Sequence, residues 1–305
     1  MPLLNSISAT LWLALRHSLG YPCQVSQDDF SDAALVLLGH GTTLNADSAA
    51  PVYQHAAELR RRKVLTEVRE AFWKQDPRVK QVLSSLAAPR VFIVPMFISE
   101  GYFSEQVIPE ELGFPEGHER RARTLRRSHQ IFFYCKPIGT HDRMADVILS
   151  RAREAVEQSS MAPRPEPKET TLFIAGHGTE QNQTSRKSIE RQVELIEAMH
   201  FYAAVHAVFL EEEPRIANCY ELARTRNLVV APFFISDGLH TQEDIPVLLG
   251  ESKATVQQRL QSHEPVWRNP TEKRGKLVWY ASSVGAAPQV SEIIIERVLE
   301  AARAA

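Results

Sequence analysis

Three side chains in the second half of the chain have the types and the placement needed to hold a divalent metal ion. His177 lies in "LFIAGHGTEQN", His240 lies in "APFFISDGLHTQEDIP", and Glu211 is the first of three acids in "AVHAVFLEEEP". Neutral imidazole is the commonest ligand for borderline divalent metals, and a carboxylate beside two imidazoles makes a facial set with open positions. Gly176, Gly178 and Gly238 lie beside or close to the two histidines, where they let the backbone turn tightly and approach a ligand.

Each of these stretches has an earlier counterpart. "LVLLGHGTTLN" matches "LFIAGHGTEQN", so His40 and His177 differ by 177 − 40 = 137, and "VPMFISEGYFSEQVIP" keeps that register against "APFFISDGLHTQEDIP". A third pair, "IFFYCKPIGTHDRMADVILSRAREA" and "LVWYASSVGAAPQVSEIIIERVLEA", matches at 285 − 139 = 146, which places a net nine-residue insertion between Gly250 and Leu277. Matches held over so many positions make the chain a tandem duplication. The copies differ where chemistry is at stake: the first keeps His40 but carries Lys74 opposite Glu211 and Phe103 opposite His240. A cation and a phenyl ring do not hold a metal, so the first copy is read as degenerate, with His40 at most a secondary contact.

The elements that must position these residues follow from periodicity. "AALVLLGHG" and "TLFIAGHG" are continuous apolar runs ending in glycine, as expected of buried parallel strands entering a turn. "AAPVYQHAAELRRR" and "SRKSIERQVELIEAM" have helical spacing, "YAAVHAVFL" and "NLVVAPFFIS" read as strands, and "PRIANCYELART" reads as a helix. Alternating β and α units predict an α/β fold of two Rossmann-like domains, each an open parallel sheet with helices on both faces. Ligands collect at the carboxyl ends of such strands, where His177, Glu211 and His240 all fall. The expected division is an N-terminal helical extension over 1–31, a first half over 32–158 with the degenerate site, a proline-rich linker over 159–169, and a second half over 170–305 with the working site.

Composition narrows the classes. The chain has 305 residues, of which 44% are hydrophobic and 24% charged, the balance of a folded globular protein. Lys plus Arg is 35 against 37 for Asp plus Glu, so a net charge of −2 argues against a nucleic-acid partner. Cys23, Cys135 and Cys219 are scattered and odd in number, which fits a reducing compartment and no disulfide framework. No run approaches the roughly 18 apolar residues of a membrane span, so a cytoplasmic location is expected. The sequence contains no GxxxxGK[ST] nucleotide-binding loop.

The "GHGT" turn, the "FLE" run leading to a proline, the "PFFISDGLH" segment leading to "DIP", and the "GTHDRMAD" lead into a helix resemble the class II tetrapyrrole chelatases. Specifically, they resemble the sirohydrochlorin cobaltochelatase and ferrochelatase group in its long, two-half form. The resemblance runs from about Ala33 to the end. It implies two chelatase-like halves facing a cleft that takes a sirohydrochlorin-like tetrapyrrole, with His177, Glu211 and His240 as metal ligands and catalytic residues. It also implies ATP-independent insertion of Co2+ or Fe2+ on the route to cobalamin or siroheme, with no cofactor beyond that metal substrate. By the same motifs Gly178, Thr179, Asp237 and Gly238 contact the macrocycle. Two N–H protons leave for each ion inserted, so a base is needed near the metal; either histidine or Glu211 would serve. A monomer or a homodimer fits, because the duplication already supplies two walls.

Two other functions compete. A carrier with the same ligands would release metal or tetrapyrrole unchanged. A histidine phosphotransferase would want arginines beside its histidine, and glycines flank His177. The run "HERRARTLRRSHQ" (118–130) is read as an exposed helix face in preference to a grip on substrate carboxylates. His55, His118, His129, His200, His206 and His263 are read as surface or packing residues, and His141 stays unassigned.

Overall fold

The computed structural model describes residues 29–42, 46–115, 123–178 and 183–304. The expected helix at the start of the chain therefore lies outside the described residues, as does Thr179. Among the described residues ten strands form two five-stranded sheets of the same design. The first contains β1 (Ala33–Gly39), β2 (Glu67–Phe72), β3 (Arg90–Pro95), β4 (Thr124–Arg127) and β5 (Gln130–Tyr134). The second contains β6 (Thr170–Gly176), β7 (Ala204–Phe209), β8 (Asn227–Pro232), β9 (Thr271–Lys273) and β10 (Lys276–Tyr280).

The orders are β2-β1-β3-β5-β4 and β7-β6-β8-β10-β9. Four strands in each are parallel, while β4 and β9 run antiparallel at the edge. The sheets are therefore mixed, and not wholly parallel as the βα alternation predicts. The difference has a local cause. Each edge strand joins its neighbour through a tight turn, with Ser128 or Arg274 and Gly275 at positive φ, and a hairpin needs no crossover helix. The arginine-rich run is corrected with it: Thr124–Arg127 is β4, not a helix face. Arg123 pairs with Glu105, and Arg127 donates to the Leu112 carbonyl. Their guanidinium groups lie over Tyr134 and Phe132, so both arginines serve packing.

All seven residues of β1 and of β6 are buried, which accounts for their unbroken apolar runs. Four long helices lie between the sheets: α1 (Ala50–Arg62), α2 (Met144–Glu157), α3 (Gln183–Ala198) and α4 (Val290–Ala304). α1 covers β1 and β2, and α3 covers β6 and β7. The last helix of each half crosses over: α2 packs on β8 and β10 of the second sheet, and α4 packs on β3 and β5 of the first. One apolar core accordingly runs through both halves, with a separate smaller core on the outer face of each sheet.

The exchange is fastened by twin contacts. Arg151 of α2 donates to the Ser283 carbonyl, and its counterpart Arg297 of α4 donates to the Pro137 carbonyl and to Thr140 Oγ1. His55, almost fully buried, donates from Nε2 to the Gly285 carbonyl at 2.7 Å and accepts from Ser291 Oγ at 2.9 Å. Burial, the largest influence, holds its pKa below 6.5 even though the Gly285 bond works the other way. His55 and His141, which Arg143 N and Gln192 contact, thus both lie where the halves meet. The nine-residue helix Lys253–Gln261 falls inside the expected insertion, and "PRIANCYELART" is reduced to a 3-10 turn and the short helix Cys219–Leu222.

A paired-imidazole site at the strand ends of the second half

In a doubly wound sheet the favoured place for a ligand is where strand order reverses, outside the carboxyl ends of the central strands. In the second sheet that place is the junction of β6 and β8, with β7 on the other side of β6. His177 is the first residue after β6, Glu211 follows β7, and His240 follows β8 at the end of the "FFISDGL" loop. The β6 and β7 turns are tied together directly, since Leu210 N donates to the Gly176 carbonyl and Glu211 N to the His177 carbonyl.

The structure brings the two imidazoles together. Their ring centroids lie 4.9 Å apart and their planes are nearly perpendicular, at 87°. His177 Nδ1 donates to the Gly178 carbonyl at 2.7 Å, and His240 Nδ1 bonds Asp244 Oδ2 at 2.7 Å. A carbonyl or carboxylate oxygen can only accept from the ring, so both Nδ1 atoms carry the proton and both Nε2 lone pairs remain free for a ligand. Both rings are about two-fifths exposed, with side-chain values of 40% and 43%, and so are accessible to an incoming ion.

Glu211 stands apart from that pair of lone pairs. Its Oε2 lies 3.6 Å from His177 Nδ1, the nitrogen already committed to Gly178, and its side chain is 57% exposed. Among the described residues no three His, Cys, Asp or Glu side chains are drawn into one set that could hold a metal. The arrangement is thus a preformed imidazole pair with an exposed carboxylate at its side. Gly178 is buried at φ +68°, and a Cβ there would come within 2.7 Å of the Glu212 side chain, so this turn needs glycine. Asp237 Oδ1 accepts from Ser283 N, and the Gly238 carbonyl accepts from Thr241 Oγ1, so both take part in building the loop that carries His240.

Sequence reasoning passed over three residues that shape this site. Tyr280, partly buried, donates from its hydroxyl to the Thr241 carbonyl at 2.6 Å, as the buried Tyr134 does to the Ser104 carbonyl in the first half. Burial, then the nearby Asp237 charge, pushes the Tyr280 pKa well above 10, so it remains a donor. Gly285 lies against Ile235, where a Cβ would meet the Ile235 carbonyl oxygen at 1.9 Å. Asp244 is the third. The repeat register held the signal for it, because Val107 occupies the matching position.

The first half lacks two of the three candidate ligand side chains. His40 keeps its Nδ1 bond to the Gly41 carbonyl, at 2.9 Å, but faces Phe103 at 5.4 Å, with Trp73 edge-on to Phe103 at 5.5 Å. Lys74 Nζ lies 5.8 Å from the Phe103 ring centre. Partial burial holds the His40 pKa down; the Gly41 bond opposes this and the Lys74 charge adds to it. A groove lined by Gln54, His55, Arg61, Pro288 and Ser291 lies between α1 and the start of α4, away from the imidazole pair.

A family model described as CbiX matches residues 34–155 and again residues 171–301. The chain belongs to the CbiX family. That model matches it twice, as the internal repeat requires. A protein named probable sirohydrochlorin cobaltochelatase from Halobacterium salinarum is 38% identical over 280 residues, covering 88% of this chain and 91% of the relative. Among solved structures, DR2241 from Deinococcus radiodurans, described as a multi-domain protein with structural similarity to chelatases and two additional novel domains, superposes with a TM-score of 0.68 at 26% identity. The match covers 87% of this chain and 54% of DR2241, so the chain spans about half of that protein. SirB from Bacillus subtilis with Fe3+ superposes with a TM-score of 0.61 at 18% identity, covering 88% of this chain and 95% of SirB, which shows the shared fold. Among the described residues no helix is long and apolar enough to cross a membrane.

Proposed function

We propose that this protein inserts a divalent metal ion, Co2+ or Fe2+, into sirohydrochlorin or a closely related tetrapyrrole without nucleotide. The observation that carries the reading is the perpendicular imidazole pair, with both Nδ1 atoms engaged and both Nε2 atoms free. CbiX membership and the similarity to a protein named probable sirohydrochlorin cobaltochelatase support it.

The metal is held by Nε2 of His177 and of His240, and the exposed Glu211 carboxylate swings in as third ligand or proton acceptor. Two His and one Glu leave coordination positions open, which the pyrrole nitrogens fill during transfer. As those nitrogens bind, their two protons leave to a base beside the metal. In this reading Gly178, Gly238 and Asp237 lie beside the bound macrocycle, and Asp237 also braces the loop through Ser283. The working site belongs to the half over 170–305, and the half over 32–158 supplies a wall. The choice between Co2+ and Fe2+ is set by availability as much as by this ligand set.

The test is the visible spectrum of sirohydrochlorin mixed with Co2+. Wild-type protein accelerates the spectral change well beyond the uncatalysed rate, and a His177→Ala, His240→Ala double variant reduces it by about 100-fold or more. Equal rates for the two proteins would remove the enzyme reading and leave a carrier.

A further inference from the structure

We infer that Asp244 is the positioning residue for the second imidazole, holding the His240 ring so that Nε2 is presented to the metal. This rests on the metal-site reading above and adds a residue to it.

The geometry is direct. Asp244 Oδ2 lies 2.7 Å from His240 Nδ1. Both belong to one five-residue π turn, His240–Asp244, at its first and last positions. Such turns are rare and are frequently found at functional sites. Here the wide turn sets the carboxylate over the ring it must hold. Metal-binding histidines commonly donate their other ring N–H to a carboxylate or carbonyl, which fixes tautomer and ring orientation. His177 has the carbonyl form of this bond through Gly178, and His240 has the carboxylate form.

The duplication supplies a control for the alternative, a purely structural role. The first half has the same π turn over Phe103–Val107, and its last residue is Val107. An apolar side chain therefore serves the turn equally well. Nor does Asp244 cap the helix that follows, Ile245–Leu248, since it makes no side-chain bond there. The His240 bond is the one recorded for its carboxylate among the described residues. The first half has neither member of the pair, with Phe103 at the imidazole position and Val107 at the carboxylate position, as expected where one acts through the other.

The experiment is a Co2+ titration of the full chain, followed by the visible absorption of bound cobalt, for wild type, His240→Ala, Asp244→Val, Asp244→Asn and the His240→Ala, Asp244→Val double variant. Valine is the loss variant because the first half already folds with it. Asp244→Val is expected to weaken Co2+ binding by about 10–100-fold, with the unfolding midpoint of the metal-free protein unchanged. Asp244→Asn, whose amide oxygen accepts the same bond, should stay within about fivefold of wild type. In the His240→Ala background Asp244→Val should cost nothing further, because the partner it acts through is gone. The inference is overturned if Asp244→Val binds Co2+ like wild type, if Asp244→Asn is as weak as Asp244→Val, or if the loss persists in full without His240. If His240→Ala itself binds Co2+ normally, the metal-site reading falls with it; if that variant loses cobalt and Asp244→Val does not, only the role of Asp244 falls.

Discussion

His55 shows how one residue ties chemistry to the joint between halves. It is buried and neutral between Gly285 and Ser291, with its pKa lowered by desolvation. A depressed folded pKa contributes stability that is complete above the unfolded value of 6.5 and is lost as pH falls through the folded value. One proton taken up on unfolding costs up to about 1.4 kcal/mol per pH unit in that window. Gln192 is the counterpart of His55 and bonds the His141 carbonyl without a titrating group. His55→Gln should therefore flatten the fall in stability between pH 6.5 and 5, measured by urea unfolding at several pH values; equal slopes for both proteins would refute it. At this scale the sequence was informative where a residue type was kept or lost between copies, as with His240 and Phe103. It was silent on His55, because a buried bridging histidine and a surface one look alike without the partner helix.

Elements position the site through backbone contacts that leave almost no sequence trace. The loop from Ala281 to Gly285 braces the "FFISDGL" segment at three points: Ser283 N to Asp237, Gly285 N to the Phe234 carbonyl, and the close approach of Gly285 to Ile235. Gly139 makes the same approach to Ile98 in the first half, where a Cβ would meet the carbonyl oxygen at 2.1 Å. Backbone cannot retreat as a flexible side chain can, so alanine at either position should cost about 3 kcal/mol. Only Gly285→Ala should also impair metal binding, because only Ile235 leads to His240. Denaturant melts with cobalt titrations check this, and equal impairment by Gly139→Ala would contradict it. Periodicity found α1 and α3 and the central strands because burial imposes it. It missed β4, a four-residue edge strand whose single apolar residue, Leu125, joins the outer core while Arg127 lies over Phe132.

The whole molecule is less divisible than its repeat. The register locates two copies, but nothing in an amphipathic helix tells which sheet it covers, so the exchange of α2 and α4 was not legible. The exchange means that residues 170–305 alone lack α2 over β8 and β10 and leave α4 without its sheet. That fragment should show no cooperative melt, whereas the full chain should unfold in one transition; a cooperative melt of the fragment would contradict the account. The same exchange gives the first half a structural role: its sheet anchors α4, and its α2 completes the sheet that holds the imidazoles.

The central claim is asymmetry: metal chemistry belongs to His177 in the second half and not to His40 in the first, although both follow the same Gly turn. Rates of Co2+ insertion into sirohydrochlorin by His177→Ala and His40→Ala, measured side by side, test it most directly. A fall of about 100-fold or more is expected for His177→Ala and a change within about threefold for His40→Ala. Equal losses, or a larger loss for His40→Ala, would contradict it.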